Sequence, residues 1–177
     1  LGALTLHLQD SFTKSFCTEV SAIAVEIYRS LCVSMGVKPA QTEVLDISRK
    51  KNLQINNETL LTFSYSLTEN ISVQDLKHAS GLMIIEPSTS QDGRTLLELR
   101  QKLIDAGFYL WAPCTHQGKC PLYTQSKKDW CHDRIHVDMP DWFLNIENHL
   151  PFKNRTITYS YLLASKHAPS STDVPRK

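Results

Sequence analysis

Three cysteines fall within 18 residues of one another in the segment APCTHQGKCPLYTQSKKDWCH, residues 112–132. Five residues separate Cys114 from Cys120 and ten separate Cys120 from Cys131, with His116 and His132 in the same stretch and His136 just beyond. Thiolates and imidazoles are the donors that hold zinc and iron–sulfur clusters. A disulfide pair is the weaker reading, because nothing points to an oxidising compartment. Zinc favours a short CxxC knuckle that this spacing lacks. A cluster tolerates irregular spacing but asks for a fourth ligand. His116, His132, His136 or a residue from outside the chain could complete the set. Ordinary thiols in a packed loop stay open as the plain alternative. Cys17, inside an expected strand, and Cys32, at a helix end, read as small core residues.

A second group of polar residues falls where apolar runs stop. SFCTEV (15–20) reads as a strand ending at Glu19, and TEVLDI (42–47) as another carrying Asp46 near its end. LLTFSYS (60–66) is a third, containing Ser64, and GLMII (81–85), followed by Glu86 and Pro87, reads as a buried parallel strand. Between them lie helices: Ala3 onward through Phe12, Ser21–Cys32 capped by Ser21 and stopped by Gly36, and Thr95–Ala106 stopped by Gly107. In the second of these the apolar positions Ile23, Ala24, Ile27 and Leu31 follow helical spacing. Strand and helix in alternation mean an α/β sheet with crossover helices, and such sheets bind ligands at the carboxyl ends of their strands. Glu19, Asp46, Ser64 and Glu86 are all expected there.

The 177 residues suffice for one domain of ordinary size, and 41% apolar content permits a packed core. With 19 basic and 18 acidic side chains the chain is no polybasic nucleic-acid coat. No apolar run reaches the roughly 20 residues of a membrane helix, and no charged-then-apolar leader supports secretion. The charge is uneven: residues 1–113 carry 10 basic and 12 acidic groups, residues 114–177 carry 9 and 6, with five of the seven His. Composition changes near residue 113. The start at Leu1 reads as the middle of something longer, and residues 167–177 as a disordered end.

Gly2-Ala3-Leu4 before a helix, followed by TEVSAIAVEIY, resembles the second half of the S-adenosylmethionine-binding region of Rossmann-like methyltransferases. The resemblance implies that Gly2 is the last glycine of the turn against the cofactor and that Glu19 accepts both ribose hydroxyls. It also implies that Asp46 contacts the adenine edge. The family's first strand and earlier glycines have no match in this sequence. The segments LMIIEPSTSQDGRTLLELRQKLIDAG, APCTHQGKCPL, KKDWCH and ITYSYLLASK then resemble the methyltransferase-like proteins associated with the small ribosomal subunit, over about residues 60–166. Mitochondrial members of that family are ribosome assembly factors whose matching cysteines hold a four-iron cluster. The resemblance carries this role to Cys114, Cys120 and Cys131. The fourth family cysteine, after the SYL strand, is missing here, which leaves His132 or an outside residue to stand in. The short tail and the lack of an Arg-rich leader point to a bacterial, cytoplasmic member; a eukaryotic one would be mitochondrial.

The expected organisation is a partial Rossmann-like S-adenosylmethionine-binding part at 1–113, a Cys/His-rich metal-binding insertion at 114–154, a final strand at 155–166 and a tail at 167–177. Alternation of Ile157, Tyr159 and Tyr161 with Thr156, Thr158 and Ser160 marks that strand, expected antiparallel at the sheet's end. Lys119, Lys127, Lys128, Arg134, Lys153 and Arg155, interleaved with Tyr123, Trp130 and Trp142, suit phosphate attraction and base stacking by ribosomal RNA. Enzymes that methylate exocyclic amines carry Asn or Asp, Pro, Pro and an aromatic after the fourth strand. Here SYSLTEN stands instead, with Tyr65 and Glu69 near the expected reaction centre but better read as structural. Three functions follow: an RNA methyltransferase, a methyltransferase-shaped assembly factor without activity, or a zinc-stabilised interaction module.

Overall fold

The structure is a computed structural model that describes residues 3–8, 11–46, 55–66, 72–114, 116–151 and 156–170. Gly2, Glu69, Lys153 and Arg155 lie outside the described residues, as do residues 171–177. The chain divides into two compact units, residues 1–54 with 69–72, and residues 55–68 with 73–177.

In the first unit, α1 (Ala3–Leu8) precedes β1 (Phe16–Glu19), α2 (Ala22–Ser34) and β2 (Gln41–Val44). The two strands pair in parallel, with Glu19 opposite Val44. The expected cap is present: Ser21 Oγ accepts the Ala24 N–H at 3.2 Å, an interaction worth about 1 kcal/mol to a helix. Gly36 stops the helix at φ +66. The buried face is not the expected one. Val25, Tyr28 and Cys32 are buried, whereas Ile23, Ile27 and Leu31 are exposed. Cys17 and Cys32 are core residues, as their surroundings in the sequence suggested.

The second unit is a Rossmann-like α/β sheet. β3 (Leu60–Ser64), α3 (Val73–Leu76), β4 (Gly81–Pro87), α4 (Ser90–Asp105) and β5 (Tyr109–Ala112) are followed by α5 (Pro121–Gln125), β6 (Asp133–His136), α6 (Asp141–Glu147) and β7 (Thr156–Ser165). The strand order is β3-β4-β7-β5, with β6 also on β7. β3 and β4 are parallel, and β7 runs antiparallel to β4, β5 and β6, so four strands point one way and one is reversed. β7 is antiparallel as expected, but it lies inside the sheet rather than at its end. Its buried face is also the reverse of the one its apolar alternation suggested: Ser160, Leu162 and Ala164 are buried and Ile157 is exposed. Ser160 tolerates this because its hydroxyl donates to the Cys131 carbonyl at 2.8 Å.

The helix expected from Thr95 starts earlier, because the Thr89 hydroxyl accepts the Asp92 N–H at 3.1 Å and caps α4. From α4, Leu96, Leu97, Leu99 and Leu103 join Leu82, Ile84, Leu110 and Leu162 of the sheet in the core. Fully burying each such side chain contributes about 1.5–3 kcal/mol. No helix among the described residues is long and apolar enough to cross a membrane.

Candidate functional site

The acidic residues stand where the sheet logic put them. Glu19 is the last residue of β1, and its Oε1 accepts the Ser21 N–H at 3.1 Å, which orients the carboxylate over the start of α2. The Leu45 N–H donates to the Glu19 carbonyl at 2.8 Å, so Asp46, half-buried, emerges at the same end of the parallel pair. In the other unit Ser64 is the exposed last residue of β3, opposite Ile85 of β4. Glu86, 2% exposed, accepts the Ser66 N–H at 3.1 Å. Tyr65, between Ser64 and Ser66, is held at φ 56, a region that non-glycine residues seldom occupy. A strand-end carboxylate with two acceptor oxygens suits a ribose diol, so Glu19 fits the cofactor that the sequence resemblance implies.

Two of the cysteines meet at a break in the sheet edge. One edge of β7 pairs with β4; the other pairs with β5 through Leu163–Ser165 and with β6 through Thr156–Tyr159. Between these two pairings the chain leaving β5 and the chain entering β6 bring Pro113, Cys114 and Cys131 to a small cavity beside Tyr161 and Leu162. Gly93, Leu96, Leu97 and Arg100 of α4 close it. Burial pushes the Cys131 thiol up, and the nearby Cys114 and Cys120 sulfurs push it further, while Arg100 pulls it down. Cys120 stands just before α5 and is half-buried. His132 is exposed, its ring 5.8 Å from that of Trp130, and does not line the cavity; His116 is exposed as well.

Arg100 is the residue that sequence reading passed over. It is 1% exposed; Nε donates to Cys114 Sγ at 3.1 Å and Nη2 to the His116 carbonyl at 3.0 Å. Nη1 is buried without an acceptor. A signal existed: position 100 falls on the same helix face as Leu96, Leu97 and Leu103, where a solvated arginine has no place.

Among the described residues, no three His, Cys, Asp or Glu side chains are gathered to hold a single metal ion. The expected zinc alternative therefore has no preformed cage. The expected iron–sulfur site of Cys114, Cys120, Cys131 and His132 is likewise not gathered among the described residues: Cys114 and Cys131 line the small cavity, and Cys120 and His132 do not.

The insertion also carries the expected cations. Lys119, Lys127, Lys128 and Arg134 are exposed, with Tyr123 and Trp142. Trp130 departs from this set. Its indole N–H donates to the Ser88 carbonyl at 2.9 Å and its ring lies on Gly93, so it anchors the insertion to α4 and is not a free stacking platform. Arg94 holds the same loop by donating to the Ser126 and Asp129 carbonyls, each at 3.0 Å. Gln117 extends the sheet edge: its side chain both donates to and accepts from the Leu110 backbone at 2.9 Å.

A family model described as mitochondrial small ribosomal subunit Rsm22 matches residues 7–176. The chain belongs to this family. No curated protein sequence matches the Rsm22-family chain. Among solved structures it is similar to a proposed RNA methyltransferase from Pyrococcus horikoshii, at 13% identity and a TM-score of 0.45. That match covers 86% of this chain and 63% of the other. It is also similar to protein 1320 of Thermoplasma acidophilum, at 12% identity and a TM-score of 0.40, over 88% and 67% of the two chains. Likeness at that level bears on neither site nor activity. The chain spans less than two thirds of the length of the Pyrococcus protein.

Proposed function

We propose that this protein is a methyltransferase-like factor of the small ribosomal subunit that binds S-adenosylmethionine and contacts the subunit's RNA. The family match across nearly the whole chain carries the reading. Glu19 would take the ribose hydroxyls and Asp46 the adenine edge. Gly2 would approach the cofactor as the last glycine of its turn. The cofactor supplies an electrophilic methyl group; the chain's contribution is to align an acceptor with it, since proximity dominates such transfers.

Residues 1–113 would serve cofactor binding, 114–154 the RNA and metal contacts, and 155–166 the last strand of the sheet. Lys119, Lys127, Lys128 and Arg134 would meet RNA phosphates, with Tyr123 and Trp142 available for base stacking. The family resemblance carries an iron–sulfur role to Cys114, Cys120 and Cys131; such a cluster would need Cys120 brought to the other two thiols and a fourth ligand from outside the chain. The family's name points to mitochondria for a eukaryotic host, and a bacterial host would keep the protein in the cytoplasm.

A specific observation favours assembly over catalysis: Ser64-Tyr65-Ser66 replaces the Pro-Pro-aromatic turn of exocyclic-amine methyltransferases. Incubation with small-subunit RNA and methyl-labelled S-adenosylmethionine separates the readings. Incorporated label means an enzyme, and salt-sensitive RNA binding without label means an assembly factor. Absence of both would overturn the proposal.

A further inference from the structure

Tyr65 follows β3 in a conformation that its own side chain opposes. Its φ is +56, in the left-handed region, where a β-carbon crowds the backbone and glycine is the ordinary choice. The other positive-φ positions among the described residues are Gly36 at +66 and Gly107 at +81, both glycines that follow helices. There the chain needs only the geometry, and glycine supplies it. At position 65 a bulky ring is kept instead. Packing does not account for the exception, because Tyr65 is 58% exposed.

The backbone around the ring is fixed from the neighbouring strand. The Tyr65 N–H donates to the Ile85 carbonyl at 2.9 Å. The Ser66 N–H donates to Glu86 Oε1 at 3.1 Å, and that carboxylate belongs to a residue only 2% exposed. Both acceptors belong to β4, so a buried strand holds the turn that leaves the ring in solvent. β3 and β4 run parallel with Ser64 opposite Ile85, and Tyr65 stands at their carboxyl end, where sheets of this kind take ligands. Backbone strain persists where the surrounding structure over-determines it, and it gathers at binding sites. What tyrosine offers here and glycine lacks is a flat π face.

We propose that Tyr65 is a base-stacking residue whose exposed ring takes the face of an unpaired RNA base. The inference rests on the RNA reading above and deepens it, because it names the single strand as the partner. Bases inside a duplex are stacked on one another, whereas unpaired bases are free to stack on an aromatic side chain. Every base has such a face, so the contact tolerates any sequence, and one such contact corresponds to about tenfold in affinity. The contact is uncharged. Its loss lowers affinity and leaves the salt dependence, which phosphate contacts set, as it was.

The test uses the full-length protein as wild type, Tyr65→Phe and Tyr65→Gly. The probes are a labelled single-stranded oligoribonucleotide of mixed sequence, the same strand annealed to its complement, and S-adenosylmethionine. Tyr65→Gly should bind the single strand about tenfold more weakly with an unchanged salt slope. Tyr65→Phe, which keeps the ring, should match wild type, and duplex affinity should be equal in all three. Thermal unfolding should place Tyr65→Gly at or above wild type, because glycine relieves the strained φ. Equal single-strand affinity in wild type and Tyr65→Gly would overturn the stacking role and leave the RNA reading standing. Unfolding of Tyr65→Gly well below wild type would assign the ring to the fold, and a matching loss in Tyr65→Phe would assign the effect to the hydroxyl; either overturns the proposal. So does a loss confined to S-adenosylmethionine, which would give the ring to the cofactor. If wild type binds neither RNA, the stacking role and the RNA reading fall together.

Discussion

The Trp130 side chain packs against Gly93, so that a methyl carbon built at Gly93 would overlap the indole ring near its base. The same indole donates its N–H to the Ser88 carbonyl at 2.9 Å. Gly93 belongs to α4 and Trp130 to the segment between α5 and β6, so this contact clamps the insertion to the helix that closes the thiol cavity. A glycine inside a helix costs about 1 kcal/mol relative to alanine. Here the missing side chain is the seat for an indole.

Gly93→Ala tests that clamp. Helix propensity alone would make the substitution stabilising, whereas overpacking costs about 1–3 kcal/mol. We expect net destabilisation with a change in tryptophan fluorescence. A more stable variant with unchanged fluorescence would mean that the ring is not seated there.

Tyr28→Phe tests the core of the first unit. The phenol oxygen accepts the Ala40 N–H at 2.9 Å from a side chain 1% exposed. Removing it leaves the amide without its partner, at a cost of about 1–3 kcal/mol. Burial first, and then the neighbouring Cys32, raise the Tyr28 pKa above its ordinary 10.0. The unfolded chain therefore ionises before the folded one. Stability from this group is fully present below pH 10.0 and is lost as pH rises from there through the folded pKa. Denaturant unfolding measured across that range should fall more steeply with pH in wild type than in Tyr28→Phe. Equal slopes would contradict the assignment.

Lys119, Lys127 and Lys128 replaced together by Glu should weaken binding to small-subunit RNA. With about 0.7 counterions released per single-strand phosphate contact, losing three contacts lowers the log–log salt slope by about 2. A slope unchanged by the substitutions would move the RNA contact to another face.

Much of the strand logic was legible because polar residues end apolar runs: Glu19 closes β1 and Ser64 closes β3 where the sequence placed them. The Ser21 cap and the Gly36 stop were equally plain, since each has a local physical cause. The buried face of α2 was not, because the helix carries two apolar stripes. Ile23, Ile27 and Leu31 make the more regular one, yet Val25, Tyr28 and Cys32 are the residues the fold buries. β7 hid its inner face in the same way, since Ser160 reaches the core only through its bond to the Cys131 carbonyl, which no local pattern announces. The short elements β5, α5, β6 and α6 are too brief for periodicity to reveal.

The candidate site divides similarly. Types and spacing suggested a single centre for Cys114, Cys120 and Cys131, but among the described residues only Cys114 and Cys131 share a cavity and no three donor side chains gather. Arg100 escaped because a charged residue in an amphipathic helix is normally assigned to solvent, although its position between leucines argued otherwise. His132 was read as a ligand from its place beside Cys131, but a residue just before a strand can point either way. Here its ring lies beside that of Trp130.

The central claim is that a methyltransferase-like cofactor site opens at the strand ends around Glu19. Calorimetric titration of the full-length protein with S-adenosylmethionine, wild type against Glu19→Ala, tests it most directly. Two hydrogen bonds from a ribose to a carboxylate contribute about 1.5–3 kcal/mol each, so the variant should lose at least tenfold in affinity while remaining folded. Equal affinity in the two proteins, or no heat of binding in the wild type, would contradict the account.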